Sequence, residues 1–187
     1  MNELAASVPG TEATGNQEAK YLAVKLGDDA YGITIMRVKE IIEYSHVTPV
    51  PLMPESIRGA INLRGHMVPI VDLARRLGVG ETAITRWTCV VIVEVRVGEQ
   101  CLDVGLTADA VSRVWDVSPL DIEAAPNFGG QIRTDFIEGM AKVGEDGFVI
   151  LLDIDRMLSM EDVEQLGRMA GQVDSASIPP ASEEESG

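Results

Sequence analysis

Side chains able to do chemistry are sparse in this sequence, and they do not gather. The two histidines, His46 and His66, lie in polar surroundings, one ahead of a proline cluster and one beside a bend. Two exposed loop histidines is the simplest reading. Cys89 and Cys101 stand twelve residues apart without a CxxC pair or neighbouring histidines, and both sit in strand-like sequence. They read as buried free thiols. The acidic pairs Asp28-Asp29 and Glu145-Asp146 fall in turns and lack the alternating carboxylates and closing glutamate of a calcium loop. Asp153-Ile154-Asp155 is explained by helix N-capping. The string Gly78-Val79-Gly80-Glu81-Thr82-Ala83 resembles a dinucleotide glycine turn. Such a site needs a strand before it and a helix after it, and the pattern here supplies neither. GxSxG, HExxH and GxxxxGK[ST] do not occur. The expectation is a protein without catalytic residues, cofactor or metal.

Charge narrows the binding partners. The formal net charge is −15, of which −2 falls in residues 1–20, −6 in residues 160–187 and −7 in the body between them. So acidic a body repels phosphate backbones and anionic lipid surfaces, which disfavours nucleic-acid and membrane binding. No apolar run approaches the roughly 18–20 residues of a membrane helix. The N-terminus has no basic start followed by an apolar stretch, so no secretory signal is expected. With unpaired cysteines, this points to the cytoplasm.

The elements that would position any site are mostly strands. Residues 1–20 read as a flexible leader, rich in small polar residues and without periodicity. From Tyr21, Leu22, Val24 and Leu26 alternate with less apolar neighbours. Gly27-Asp28-Asp29 turns the chain into a second run at 30–35, which predicts a hairpin. Residues 36–42 fit a strand or a helical turn equally well. Pro49, Pro51 and Pro54 exclude a long helix beyond them. A second hairpin joins 60–63 to 67–71, with Gly65 at the bend, where a positive φ suits glycine. Asp72 can cap a brief helix over 73–77 that Gly78 ends. The unbroken run 89–95 reads as a strand buried on both faces. Strands at 102–106 and 110–117 follow, then a long connection over 118–135, then a hairpin over 137–152. Helical spacing dominates only after Asp153, where Ser159 can cap a helix carrying Val163, Leu166 and Met169. Strands do not alternate with long helices, so the predicted class is all-β.

Three stretches resemble the CheW-type coupling proteins of bacterial chemotaxis. One runs from Asp28-Asp29-Ala30-Tyr31-Gly32-Ile33-Thr34-Ile35 to Val38-Lys39-Glu40-Ile41-Ile42. The second and most specific is Ile57-Arg58-Gly59-Ala60-Ile61-Asn62-Leu63-Arg64-Gly65, continued by Val68-Pro69-Ile70-Val71-Asp72-Leu73. The third is Gly105-Leu106 with Asp109-Ala110-Val111-Ser112-Arg113-Val114. The sequence departs from the family at Thr107-Ala108, where bulkier valines are common, and at the variable bend residue His66. The resemblance implies a CheW-like domain over 21–158 made of two packed five-stranded SH3-like barrels, interleaved or consecutive in sequence. A C-terminal helix at 159–172 and an acidic tail at 173–187 would follow. It implies an adaptor that binds the cytoplasmic tip of a chemoreceptor and the regulatory domain of a CheA-type histidine kinase, recruited to membrane receptor arrays. A detached regulatory domain of such a kinase would share the fold.

The resemblance also implies site residues. Val38, Glu40, Ile41, Gly59, Arg64, Val111 and Val114 fall where the receptor would bind, and Cys89, Val90, Val91 and Val93 toward the kinase. Arg64 is either a solvated arginine at a bend or a planar donor fork that lysine would not reproduce. Gly59 serves either its own backbone or the close approach of a receptor helix. The valines and Ile41 are either core or anchors in a groove between the barrels.

Overall fold

Every long apolar run in the chain has become a strand with two covered faces. In the computed structural model, which describes residues 18–126, 133–145 and 147–173, eleven strands form two sheets. The chain begins in the first sheet with β1 (Ala19–Leu26) and β2 (Asp29–Thr34). It then builds the whole second sheet from β3 (Val38–Glu43), β4 (Ile57–Leu63), β5 (His66–Asp72), β6 (Cys89–Val97) and β7 (Gln100–Ala108). It returns to the first with β8 (Ala110–Val117), β9 (Ile122–Glu123), β10 (Ile137–Val143) and β11 (Gly147–Leu152). The strand orders are β8-β1-β2-β11-β10-β9 and β3-β6-β7-β5-β4. Pairing is antiparallel except for β2 with β11 and β5 with β7, the contacts that bring distant segments together.

Alternation then sorts side chains into three apolar clusters. Tyr21 turns inward with Val117, Ala141, Val149 and Leu151 to fill the first barrel. Val90 and Ile92 turn inward with Ile61, Val68 and Ile70 to fill the second. The opposite faces of the same strands, Leu22 and Val24 on β1 and Val91, Val93 and Val95 on β6, meet in a shared seam. A strand sandwiched between a barrel interior and the seam needs apolar residues at nearly every position, which explains the unbroken run in β6.

The second barrel closes through a loop. Thr48 and Ala60 exchange two backbone hydrogen bonds of 2.9 Å, tying the segment after β3 to β4. Gly59 makes that approach possible. It lies at φ 147°, and a Cβ there would sit 2.1 Å from the Thr48 carbonyl oxygen.

The two helices begin as their caps predict. The Asp72 carboxylate accepts from the Arg75 N–H at 3.3 Å to start α1 (Leu73–Leu77), and Gly78 ends it at φ 77°. That carboxylate is fully buried and has a second task. Arg58 donates to it from Nε and Nη2 at 3.0 and 2.6 Å, and the Thr82 hydroxyl donates at 3.0 Å. At the start of α2 (Met160–Val173), the Ser159 hydroxyl accepts from the Asp162 N–H, and Asp162 accepts from the Ser159 N–H, a reciprocal cap. Arg76 in the last turn of α1 donates to Asp162 at 2.8 Å and to the Met157 carbonyl, which ties the end of α1 to the start of α2. Of the predicted apolar stripe, Leu166 is buried; the side chains of Val163 and Met169 lie outside what is described.

Several expectations change. β1 starts at Ala19 rather than Tyr21, because Ala19 and Lys20 pair with Val117 and Asp116. The ambiguous 36–42 resolves into a 3-10 turn, Ile35–Arg37, followed by β3. The first sheet has six strands rather than five, because the predicted connection contains the two-residue β9. Only one thiol is even partly covered: Cys89 is half-buried and Cys101 is exposed near the tip of the β6–β7 hairpin. Asp153 caps as expected, accepting from the Asp155 N–H, but the element it starts is a 3-10 turn. Residues 1–17, 127–132, Asp146 and 174–187, which include most of the predicted leader and tail, lie outside the described residues. No helix among the described residues is long and apolar enough to cross a membrane.

Candidate partner-binding site

Five of the seven residues proposed for receptor contact fall on two edge strands, Val38, Glu40 and Ile41 on β3 of the second sheet and Val111 and Val114 on β8 of the first. Each strand carries two apolar residues spaced by three, Val38 with Ile41 and Val111 with Val114. In a regular strand an odd spacing sends side chains to opposite faces. Here each strand shifts register between the two. On β3 the irregularity lies between Val38 and Glu40, so Val38 pairs with Val93 and Ile41 with Val91. On β8, Val111 pairs with Val24 and Val114 with Leu22 across a second irregularity. Val91, Val93, Leu22 and Val24 all face the seam. The bulges therefore put both apolar pairs on the seam side of their edge strands. Val38 and Val111 are packed against the seam, while Ile41 and Val114 remain 46% and 43% exposed. Each edge thus offers one anchored and one accessible apolar residue.

Beside β3 stands the Arg64 bend. The β4–β5 turn places Arg64 at φ 52° and Gly65 at φ 87°, two positive angles in succession, as tight two-residue hairpins require. The Asn62 side-chain oxygen accepts from the Gly65 N–H at 2.8 Å and stabilises the turn. Arg64 is exposed but not free: its Nη1 and Nη2 donate to the two Glu40 carboxylate oxygens at 2.8 and 2.9 Å. Two of the proposed receptor-binding residues, 24 positions apart, therefore form one planar unit. Next along β3, Lys39 donates to Asp103 at 2.6 Å and lies 3.1 Å from Glu94, and those hydrogen bonds raise its pKa.

The structure narrows the remaining assignments. Gly59 is buried beneath Thr48, so the close approach that it permits is to its own chain. Val90, Val91 and Val93 are 1% exposed or less, split between barrel interior and seam, and present no side chain to a kinase. Continuous burial is what made them conspicuous in the sequence, and it is also what removes them from the surface. Cys89 is partly accessible; burial, and next Asp109, pushes its thiol pKa up, away from reactivity. His66 is exposed at its bend. Thr107 and Ala108 are fully buried, and the Thr107 hydroxyl lies 3.4 Å from that of Thr82, beside the Arg58–Asp72 pair. That departure thus adjusts a polar cluster in the interior.

Sequence reasoning missed three features: the buried Arg58–Asp72 pair, the exposed Trp87 and the exposed Leu52 at φ 64°. The prolines flanking Leu52 signalled a loop, but nothing local reports exposure.

Comparison with known proteins places the chain in a family and a fold. Residues 20–162 match the family model described as a CheW-like domain. The chain is 33% identical over 151 residues to the chemotaxis protein CheW of Klebsiella aerogenes, covering 81% of this chain and 88% of that one. It is 28% identical over 157 residues to CheW of Treponema pallidum, covering 84% and 92%. Among solved structures it resembles the scaffolding protein TtCheW from Thermoanaerobacter tengcongensis, with a TM-score of 0.69 and 29% identity. That match covers 86% of this chain and 96% of the other.

Proposed function

The chain belongs to the CheW-like family and is a chemotaxis adaptor, and from that premise we propose that it joins the cytoplasmic tip of a chemoreceptor to the regulatory domain of a CheA-type histidine kinase. The observation that carries this reading is the pair of bulged edge strands. Val38 with Ile41 and Val111 with Val114 provide apolar anchors of the kind a helix tip needs. Arg64 and Glu40 supply a fixed polar unit beside them, which orients more than it attracts. Gly59 contributes by closing the barrel under that surface. On the kinase side, Cys89 stands at the accessible start of β6, and Val90, Val91 and Val93 hold that strand in place from within.

No covalent step is required of such an adaptor. Its output is a difference in binding free energy between kinase-on and kinase-off assemblies, on the order of 1–3 kcal/mol. It would work in the cytoplasm at membrane receptor arrays, through protein contacts rather than nucleic acid or lipid. A detached kinase regulatory domain is not favoured, because the relatives matched over most of their own length are CheW proteins.

The test is reconstitution of the chain with receptor tips and kinase. The proposal expects co-assembly and receptor control of the kinase, both lost on Ile41→Asp or Val114→Asp with the fold retained. Undiminished kinase control by both folded variants would sink it.

A further inference from the structure

A cleft of about 750 Å³ opens where the two barrels meet. It is bounded by the β1–β2 turn, the β7–β8 junction and the loop between α1 and β6. None of the residues proposed for receptor contact lines it. One wall is Trp87, 66% exposed, with the Arg86 guanidinium stacked 4.8 Å from its ring centroid. A tryptophan that exposed costs solvation, and the stacked arginine restricts its rotation, which leaves it pre-organised for contact. Leu26, Ala74, Val79 and Ala83 make the rest of the apolar lining. The rim is acidic, with Asp28, Asp29, Glu81 and Asp109 and no lysine, arginine or histidine among the lining residues. Arg75 already neutralises Glu81 at 2.7 Å, and Asp109 accepts from the Gly27 N–H at 2.6 Å. Asp28 and Asp29 make no ion pair among the described residues.

We propose that this cleft docks a basic, apolar segment of a partner protein, with one apolar side chain against Trp87 and a lysine or arginine on Asp28 and Asp29. Charge complementarity selects the occupant: a cationic segment gains at a rim with two unpaired carboxylates, whereas an anionic one is repelled. An exposed tryptophan in the wall of a concave surface is of the residue type that anchors interfaces. Because the first barrel supplies Asp28 and Asp29 and the second supplies Trp87, a segment held there binds both barrels at once. Its affinity then depends on how the barrels sit against each other.

The chain has two tryptophans, so Trp115→Phe leaves Trp87 as the only indole and its emission as the reporter. The probe is a ten-residue peptide alternating lysine and leucine, compared with one alternating glutamate and leucine. The proposal expects a saturable blue shift with the lysine peptide alone. Asp28→Asn with Asp29→Asn should weaken binding about tenfold. Glu99→Gln with Glu145→Gln, which neutralises two carboxylates at other hairpin turns, should leave it within about twofold. An unmoved Trp87 emission, or an equal loss in both double variants, overturns the proposal. The second result would mean only general attraction to an acidic chain.

Discussion

Arg64 and Glu40 face each other as fork and carboxylate, with two hydrogen bonds of 2.8 and 2.9 Å joining the β4–β5 bend to edge strand β3. The arginine side chain is 75% exposed and the glutamate 25%. A pair that open to water contributes about 0–1 kcal/mol to stability. Its value lies in orientation: it fixes one plane of donors beside the accessible Ile41.

That arrangement separates stability from function at one residue. Arg64 occupies the left-handed region, which asparagine tolerates better than arginine. Arg64→Asn is expected to melt at or above the parent temperature while receptor control of the kinase falls. Arg64→Lys should restore only part of that control, since an ammonium cannot make the two-point contact. Full control by the Asn variant would show that Arg64 is only a solvated turn residue.

Gly59→Ala should behave oppositely. Its new methyl would meet the Thr48 carbonyl oxygen at 2.1 Å, and that oxygen belongs to the barrel-closing bridge. We expect a loss of more than about 2 kcal/mol in urea unfolding. Any defect in receptor binding should appear only alongside that loss. A variant as stable as the parent would mean the loop over β4 moves freely.

Leu52 carries two costs at once, φ 64° and 99% exposure, in a turn set between Pro51 and Pro54. Leu52→Asn is expected to raise stability by about 0.5–1 kcal/mol, from relief at a left-handed position. A lower melting temperature would show that Leu52 is covered in the folded protein.

Asp162 gives the start of α2 a pH dependence. Burial alone would raise its carboxyl, but the Ser159 N–H and hydroxyl and Arg76 outweigh burial and hold it below its usual 3.8. A carboxyl lowered in the folded state stabilises that state above its unfolded pKa, and the gain disappears as pH falls through the folded value. Asp162→Asn should therefore destabilise the protein at pH 7. The gap to the parent should narrow as the pH falls below the usual 3.8 and through the lowered folded value. A gap independent of pH would assign the loss to packing instead of charge.

Much of the fold could be read locally. Alternation in β1, the apolar run of β6, the Asp72 and Gly78 boundaries of α1 and the Ser159 cap of α2 all depend on neighbours in sequence. The site was legible only as a family pattern in the residues around Arg64. Val90, Val91 and Val93 misled because a doubly buried strand and a binding strand are equally apolar in sequence, and only exposure separates them.

The sequence by itself determined that the chain is β-rich, where its turns and caps fall, and, through the segment from Asn62 to Leu73, which family it joins. Tertiary structure decided which face of each strand fills a barrel and which fills the seam, because both faces are apolar and period two cannot rank them. It also decided that Val38 shares a side with Ile41, and Val111 with Val114, because a one-residue shift in pairing reverses every side chain beyond it. And it brought Arg64 to Glu40 and Arg58 to Asp72. Arg64 and Glu40, 24 residues apart, meet only when the fold sets the β4–β5 bend beside β3, whereas Arg58 and Asp72, 14 apart, meet across the β4–β5 hairpin.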